Sequence, residues 1–233
     1  MKVKLITYTK GGVELVAKSA RVSGVPPGLK DTEIVRMIVE NDYSSALEHI
    51  SFTFELSGIS LALSRELLEH RITSHTGRST RYNEEDGFGY YTPKDIARNP
   101  EALKIFEKAM RDANKSYLEL KKLGLKKEGR RYVLPLAAHC KYVWTANARS
   151  LINFLSLRLC VRAAPEIKEL AEEIKKIVTK LYPEIFAGIG CRGITLGVCP
   201  ENEVRKFFPT CPYAKGKKRI PTKQEVKDRW GKI

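Results

Sequence analysis

The stretch Arg149 to Cys160 places Leu151, Ile152, Phe154, Leu155, Leu157 and Leu159 around every side of a helix. A helix that is apolar all round is stable in water only when other elements enclose it. The chain must therefore build a core large enough to surround this segment. After a break at Ala163-Ala164, Pro165 opens a second helix with Ile167, Leu170, Ala171, Ile174, Ile177, Val178 and Leu181 on one face. Upstream, Val3 to Tyr8 and Cys140 to Ala146 read as strands, and Ile50 to Leu56 alternates apolar and polar residues with the period of a half-buried strand. Helices are expected near Val13 to Ala20, from Asp31 (with Asp31-Thr32-Glu33 as cap and early acids) to Asn41, and from Ile59 to His70. Asn99-Pro100-Glu101 combines a cap with proline at the first helical position, opening a helix to Leu123. Its inward face would be Ala102, Phe106, Ala109, Ala113 and Leu120. Runs of helices with a few strands, not in strict alternation, predict an α+β fold.

Forty-two Lys and Arg against 27 Asp and Glu give a net charge of +15. That balance favours phosphorylated substrates or polyanionic partners and is silent about fold. Pro212 to Ile233 alone contains eight basic residues, which reads as a solvated tail. No apolar run is long enough for a membrane span, and Met1-Lys2-Val3-Lys4 leads directly into strand-like sequence, so no leader is expected. Five cysteines in 233 residues do not suggest a disulfide framework; a reducing, cytoplasmic setting is the expectation. The spacing of Cys191, Cys199 and Cys211 matches no compact zinc or iron–sulfur pattern, so no metal is assigned.

Three segments carry candidate chemistry. Arg71 to Arg81 holds three arginines, one histidine and five hydroxyl side chains with no acid, a composition suited to phosphate or carboxylate, or simply to a solvated loop. Arg149 and Asn153 share one helix face, and Arg158 falls elsewhere on the same helix. Guanidinium groups in so apolar a helix need partners: Glu48, Glu55 or Glu66, or an anionic ligand. His49 and His70 complete the candidates, although a lone histidine beside a strand is ordinarily structural.

These residues resemble the flavin-dependent thymidylate synthases (ThyX). That family's signature is Arg-His-Arg, seven residues, then Ser; here Glu69-His70-Arg71 is followed after seven residues by Ser79-Thr80-Arg81-Tyr82. Ser19-Ala20-Arg21-Val22-Ser23, Leu47-Glu48-His49-Ile50, Val133-Leu134-Pro135-Leu136 and Trp144 through Arg158 accompany it in the family's order. The resemblance implies a ThyX-like fold, a central antiparallel or mixed sheet flanked by long helices and assembled as a homotetramer. It covers residues 1–187, leaving 188–233 as a cysteine-containing basic extension.

The implied reaction is reductive methylation of dUMP to dTMP with FAD, NADPH and methylenetetrahydrofolate or a methanopterin analogue. The resemblance assigns FAD to His49, Ser51, His70, Arg71, Ile72, Asn147, Arg149 and Asn153. It assigns the nucleotide to Glu66, Arg78, Ser79, Thr80, Arg81 and Arg131, with Arg158 as the catalytic cation beside the pyrimidine. The departures are Glu69 for the signature's first Arg, Glu66 for a Gln, Gly77 for an acid and Arg162 for a common His. They indicate a diverged member. The alternatives are methylation of another pyrimidine nucleotide, or a basic nucleic-acid-binding or base-modifying paralogue, which is not favoured.

Overall fold

A computed structural model describes residues 1–195, 199 and 211. In chain order the elements are β1 (Lys2–Tyr8), α1 (Gly12–Val22), α2 (Asp31–Glu40), a 3-10 helix (Ser44–His49), β2 (Ser51–Ser60), α3 (Leu61–Leu68), β3 (Ser74–Gly77) and α4 (Lys94–Ala97). They continue with α5 (Pro100–Lys122), α6 (Lys127–Arg130), a 3-10 turn (Arg131–Val133), β4 (His139–Asn147), α7 (Ala148–Arg158), α8 (Pro165–Leu181), α9 (Pro183–Phe186) and α10 (Arg192–Thr195). Among the described residues the fold is α+β, with a four-stranded antiparallel sheet in the order β1-β2-β4-β3. The chain divides into two compact units, Met1–Thr7 with Thr53–Thr145, and Tyr8–Phe52 with Ala146–Ile233. Both are discontinuous in sequence. Most of the expected basic extension, residues 196–198, 200–210 and 212–233, lies outside the described residues.

In the first unit the sheet follows from period-two patterning. Phe54 and Leu56 on β2 and Tyr142 and Trp144 on β4 point to one buried face, while Lys141 and Val143 point outward. The Phe54 and Trp144 rings stack at 6.2 Å. The β3 strand was not expected. Ser74, His75, Thr76 and Gly77 pair antiparallel with Thr145, Trp144, Val143 and Tyr142. Four polar or small residues carry no alternation of their own; the edge of β4 makes them a strand.

Two boundaries differ from expectation for local reasons. Ile59 and Ser60 finish β2 instead of starting a helix, and the Ser60 hydroxyl caps α3 by accepting from the Leu63 amide at 2.9 Å. Asp31 is the first helical residue of α2; the Lys30 amide precedes it and donates to Glu33 Oε2 at 2.8 Å. The cap of α5 is as expected, with Asn99 Oδ1 accepting from the amides of Glu101 and Ala102. Its inward face is close to expectation: Ala102, Phe106, Ala113 and Leu120 are half-buried, but Ala109 is exposed, and the buried residues are Met110 and Tyr117.

The second unit encloses α8 along Ile167, Leu170, Ala171, Ile174 and Val178, with Ile177 and Leu181 half-buried. Phe52 packs edge-on against Tyr182 at 6.0 Å and Phe186 at 5.7 Å. The Tyr182 hydroxyl accepts from the Gly12 amide at 3.1 Å and donates to the Thr9 carbonyl. A Cβ at Gly12 would lie 2.7 Å from the Tyr182 ring and 2.9 Å from Ile50 Cδ1. Both neighbours are packed, so Gly12→Ala should lower stability by about 1–3 kcal/mol, the usual cost of overpacking. Denaturant unfolding checks this, and an unchanged midpoint would show that the Tyr182 contact yields freely.

Helix α7 is less enclosed than its composition predicts. Ala148, Leu151, Phe154, Leu155 and Ser156 are buried, but Arg149 and Asn153 are exposed and Arg158 is half-buried. The expected problem of two interior guanidinium groups is thereby relieved at Arg149.

Candidate active site

In the first unit, the chain leaves α3 through Glu69, whose amide bonds the Glu66 carbonyl at 3.3 Å, and Glu69 itself is exposed. Glu66 is half-buried on α3 and His70 is buried. A polar network then fixes the next turn. Thr73 Oγ1 accepts from the Trp144 indole N–H at 2.9 Å and donates to the His70 carbonyl at 2.5 Å. His75 Nε2 lies 2.7 Å from Thr73 Oγ1 and 3.1 Å from the same carbonyl. Since the threonine proton is committed, His75 must carry its proton on Nε2, and Nδ1 accepts from the Tyr142 hydroxyl at 3.1 Å. Burial, then the neighbouring Cys140, pushes the Tyr142 hydroxyl up, which keeps it a donor.

Gly77 is required by the same packing, because a Cβ there would lie 2.9 Å from the Tyr142 ring. This locked segment presents Arg71 and Ile72 to the outside, Ile72 with 81% exposure.

The following turn is built by Ser79. Its carbonyl accepts from the Asn83 side chain at 2.9 Å, and its hydroxyl accepts from the Arg81 amide at 3.3 Å. Thr80 is half-buried beside it. Arg78 is committed elsewhere: Nε donates to Glu85 at 2.8 Å and Nη2 to the Glu84 carbonyl at 2.9 Å. The Arg81 guanidinium lies 3.0 Å from Glu128, and Lys127 Nζ donates to the Tyr82 carbonyl at 3.2 Å.

Arg130 is buried, stacked 5.0 Å over the Tyr117 ring and bonded to Glu84 at 3.0 Å. Desolvation pushes the Glu84 carboxyl up, but Arg130, Lys121 and Lys127 outweigh it and hold that group below the ordinary carboxylate range. Arg131, next in the chain, is half-buried with its guanidinium 5.2 Å over the Tyr132 ring.

In the second unit, His49 ends the 3-10 helix and is exposed, as is Ser51, whose amide donates to Thr9 Oγ1 at 3.1 Å. Asn147 caps α7, its Oδ1 accepting from the Ser150 amide at 2.8 Å. Arg149 Nη1 donates to Glu48 at 2.6 Å, with both side chains about half exposed. Of the three acids named from the sequence, Glu48 is the partner. Asn153 stands one helical turn on, and Arg158 occupies the last turn of α7, where the helix dipole favours a cation.

The sequence reading missed Thr73, His75, Tyr142 and Trp144 as the clamp on the His70 turn, and Glu128 as the partner of Arg81. Neither Thr73 nor Tyr142 belongs to a recognisable spacing; only the β3–β4 register brings them together. Among the described residues no cysteine is in a disulfide, and no three His, Cys, Asp or Glu side chains gather into a metal site.

The chain is similar to known proteins over most of its length. Residues 4–184 match the family model described as thymidylate synthase complementing protein. A flavin-dependent thymidylate synthase of Nitratidesulfovibrio vulgaris is 39% identical over 226 residues, covering 87% of this chain and 92% of that protein. One from Geobacter sulfurreducens is 36% identical over 234 residues, covering 94% and 97%. One from Thermococcus onnurineus is 36% identical over 222 residues, covering 88% and 91%. With a signature-bearing turn, an ordered series of motifs and relatives alike along nearly their whole length, the chain belongs to the flavin-dependent thymidylate synthase family.

Proposed function

We propose that this protein converts dUMP to dTMP by reductive methylation. The observation that carries the reading is the Ser79–Arg81 turn, whose exposed guanidinium already holds a carboxylate at 3.0 Å and so has the reach and geometry for an anion. Ser79, Thr80 and Arg81 receive the nucleotide phosphate, Arg131 adds a second guanidinium, and Glu66 joins the nucleotide set from α3. Arg78, tied to Glu85, shapes the turn.

The donor set also fits a flavin dinucleotide. Arg71 and Ile72 stand outward on a clamped turn, and Arg149 holds a replaceable carboxylate beside Asn153 on the exposed face of α7. His49, Ser51, His70 and Asn147 complete the FAD set. Bound FAD supplies the redox chemistry, with NADPH as reductant and methylenetetrahydrofolate or a methanopterin analogue as carbon donor. Arg158 stabilises negative charge on the pyrimidine, favouring attack from C5.

Ile72, Tyr82, Tyr132 and Leu136 are all more than two-thirds exposed in the first unit. Apolar side chains beside a site that must exclude water support a homotetramer in which other copies cover them. Cysteines outside any disulfide suit a reducing cytoplasm. Among the described residues no helix is long and apolar enough to cross a membrane.

The test is a visible spectrum of the purified protein titrated with dUMP. Flavin bands that shift on addition are expected. Bands indifferent to dUMP would point to another pyrimidine nucleotide. No flavin after reconstitution with FAD would overturn the reading and favour a nucleic-acid-binding paralogue, recognisable by strongly salt-dependent binding.

A further inference from the structure

We infer that Glu128 is a built-in competitor of the substrate phosphate: its carboxylate occupies Arg81 until a dianionic ligand displaces it, and this sets the affinity and charge selectivity of the nucleotide site. The inference rests on the reading of Arg81 as a phosphate ligand. Two arginines of the signature segment hold carboxylates, but in different surroundings. Glu85, the partner of Arg78, is only 10% exposed and the same guanidinium is also fixed by the Glu84 carbonyl, so that pair is part of the framework. Glu128 and Arg81 are 58% and 47% exposed, and a pair so open to water is held weakly.

The placement of Glu128 is set by the backbone. Its neighbour Lys127 donates to the Tyr82 carbonyl at 3.2 Å and lies 3.7 Å from Glu84, so α6 is tied to the turn that carries Arg81. Arg131, the second proposed phosphate ligand, follows α6 directly. The carboxylate therefore stands among the groups meant for the phosphate.

A phosphate monoester carries about −1.5 to −2 charge at neutral pH and three acceptor oxygens, against a single charge on Glu128. The dianion wins the guanidinium; a neutral nucleoside has nothing with which to displace the acid. After displacement Glu128 still repels the phosphate from nearby. Both effects act in the same direction, and both vanish when the carboxylate becomes an amide.

The experiment is ligand binding to the FAD-loaded Glu128→Gln protein. The dUMP Kd should fall roughly two- to fivefold, the worth of an exposed ion pair. Binding of deoxyuridine should not change, and the dUMP gain should shrink at high salt. An unchanged dUMP Kd, or equal tightening of deoxyuridine, would overturn the inference. Arg81→Ala measured alongside separates the two levels. If it weakens dUMP while Glu128→Gln gains nothing, the competitor role alone fails; if it changes nothing, the phosphate reading fails and takes this inference with it.

Discussion

Arg158→Ala should lower turnover of dUMP by roughly a hundred- to a thousandfold, the usual cost of removing one preorganised electrostatic group from a transition state. The side chain is half-buried at the end of α7, close to the negative pole of the helix, where a cation is favoured. A cation placed there gains most when negative charge develops on the pyrimidine, so the loss should fall on kcat more than on dUMP affinity. Flavin content should be unaffected, because the proposed FAD contacts are other residues. Arg158→Lys keeps the charge but not the planar fork and should recover part of the rate. Single-turnover kinetics with the flavin reduced beforehand isolates the chemical step. An unchanged rate there would remove Arg158 from catalysis.

The residues that could be placed from the sequence are those whose chemistry is local. The alternation through β2, the Asn99-Pro100 cap of α5 and the apolar stripe of α8 depend on neighbours within a few positions, and the structure has them where they were expected. The β3 strand depends on an edge about 70 residues away, and its polar Ser-His-Thr-Gly composition looks like loop.

The same distinction runs through the site. An acid-free, hydroxyl-rich segment stands out in the sequence as a candidate for an anion or as a solvated loop, but the groups that clamp it do not. Trp144 and Tyr142 reach Thr73 and His75 across 71 and 67 residues. The charge-pairing argument offers Glu48, Glu55, Glu66 or an anionic ligand to the arginines of this helix, and only the fold selects Glu48 for Arg149. The exposure of Arg149 could not be anticipated, because helix composition gives the number of apolar residues and not how much of the surface other elements cover. Gly77 shows the limit from the other side. As a departure from the family pattern it looked like a lost carboxylate, whereas in the structure the Tyr142 ring fills the space a side chain would need.

Arg81→Ala should raise the dUMP Kd tenfold or more. A hydrogen bond to a charged group is worth about 1.5–3 kcal/mol, and each 1.4 kcal/mol is a factor of ten. The prediction can be kept apart from any effect on folding. Arg81 is about half exposed and its present partner is an exposed carboxylate, a pair of small value to stability, so the thermal midpoint should stay put while binding weakens. It can also be kept apart from a general loss of positive charge. Lys108 on α5 is exposed and paired with Asp112, and its removal should leave the dUMP Kd unchanged although the net charge falls equally. Binding energy from a phosphate remote from the reacting carbon is partly spent on orienting the ring. The variant should therefore lose kcat/KM by more than binding alone, and saturating dUMP should not restore the full rate. Weakened binding with fully restored turnover would mean that the phosphate anchors the nucleotide without positioning it; unchanged binding would place the phosphate away from the Ser79–Arg81 turn altogether.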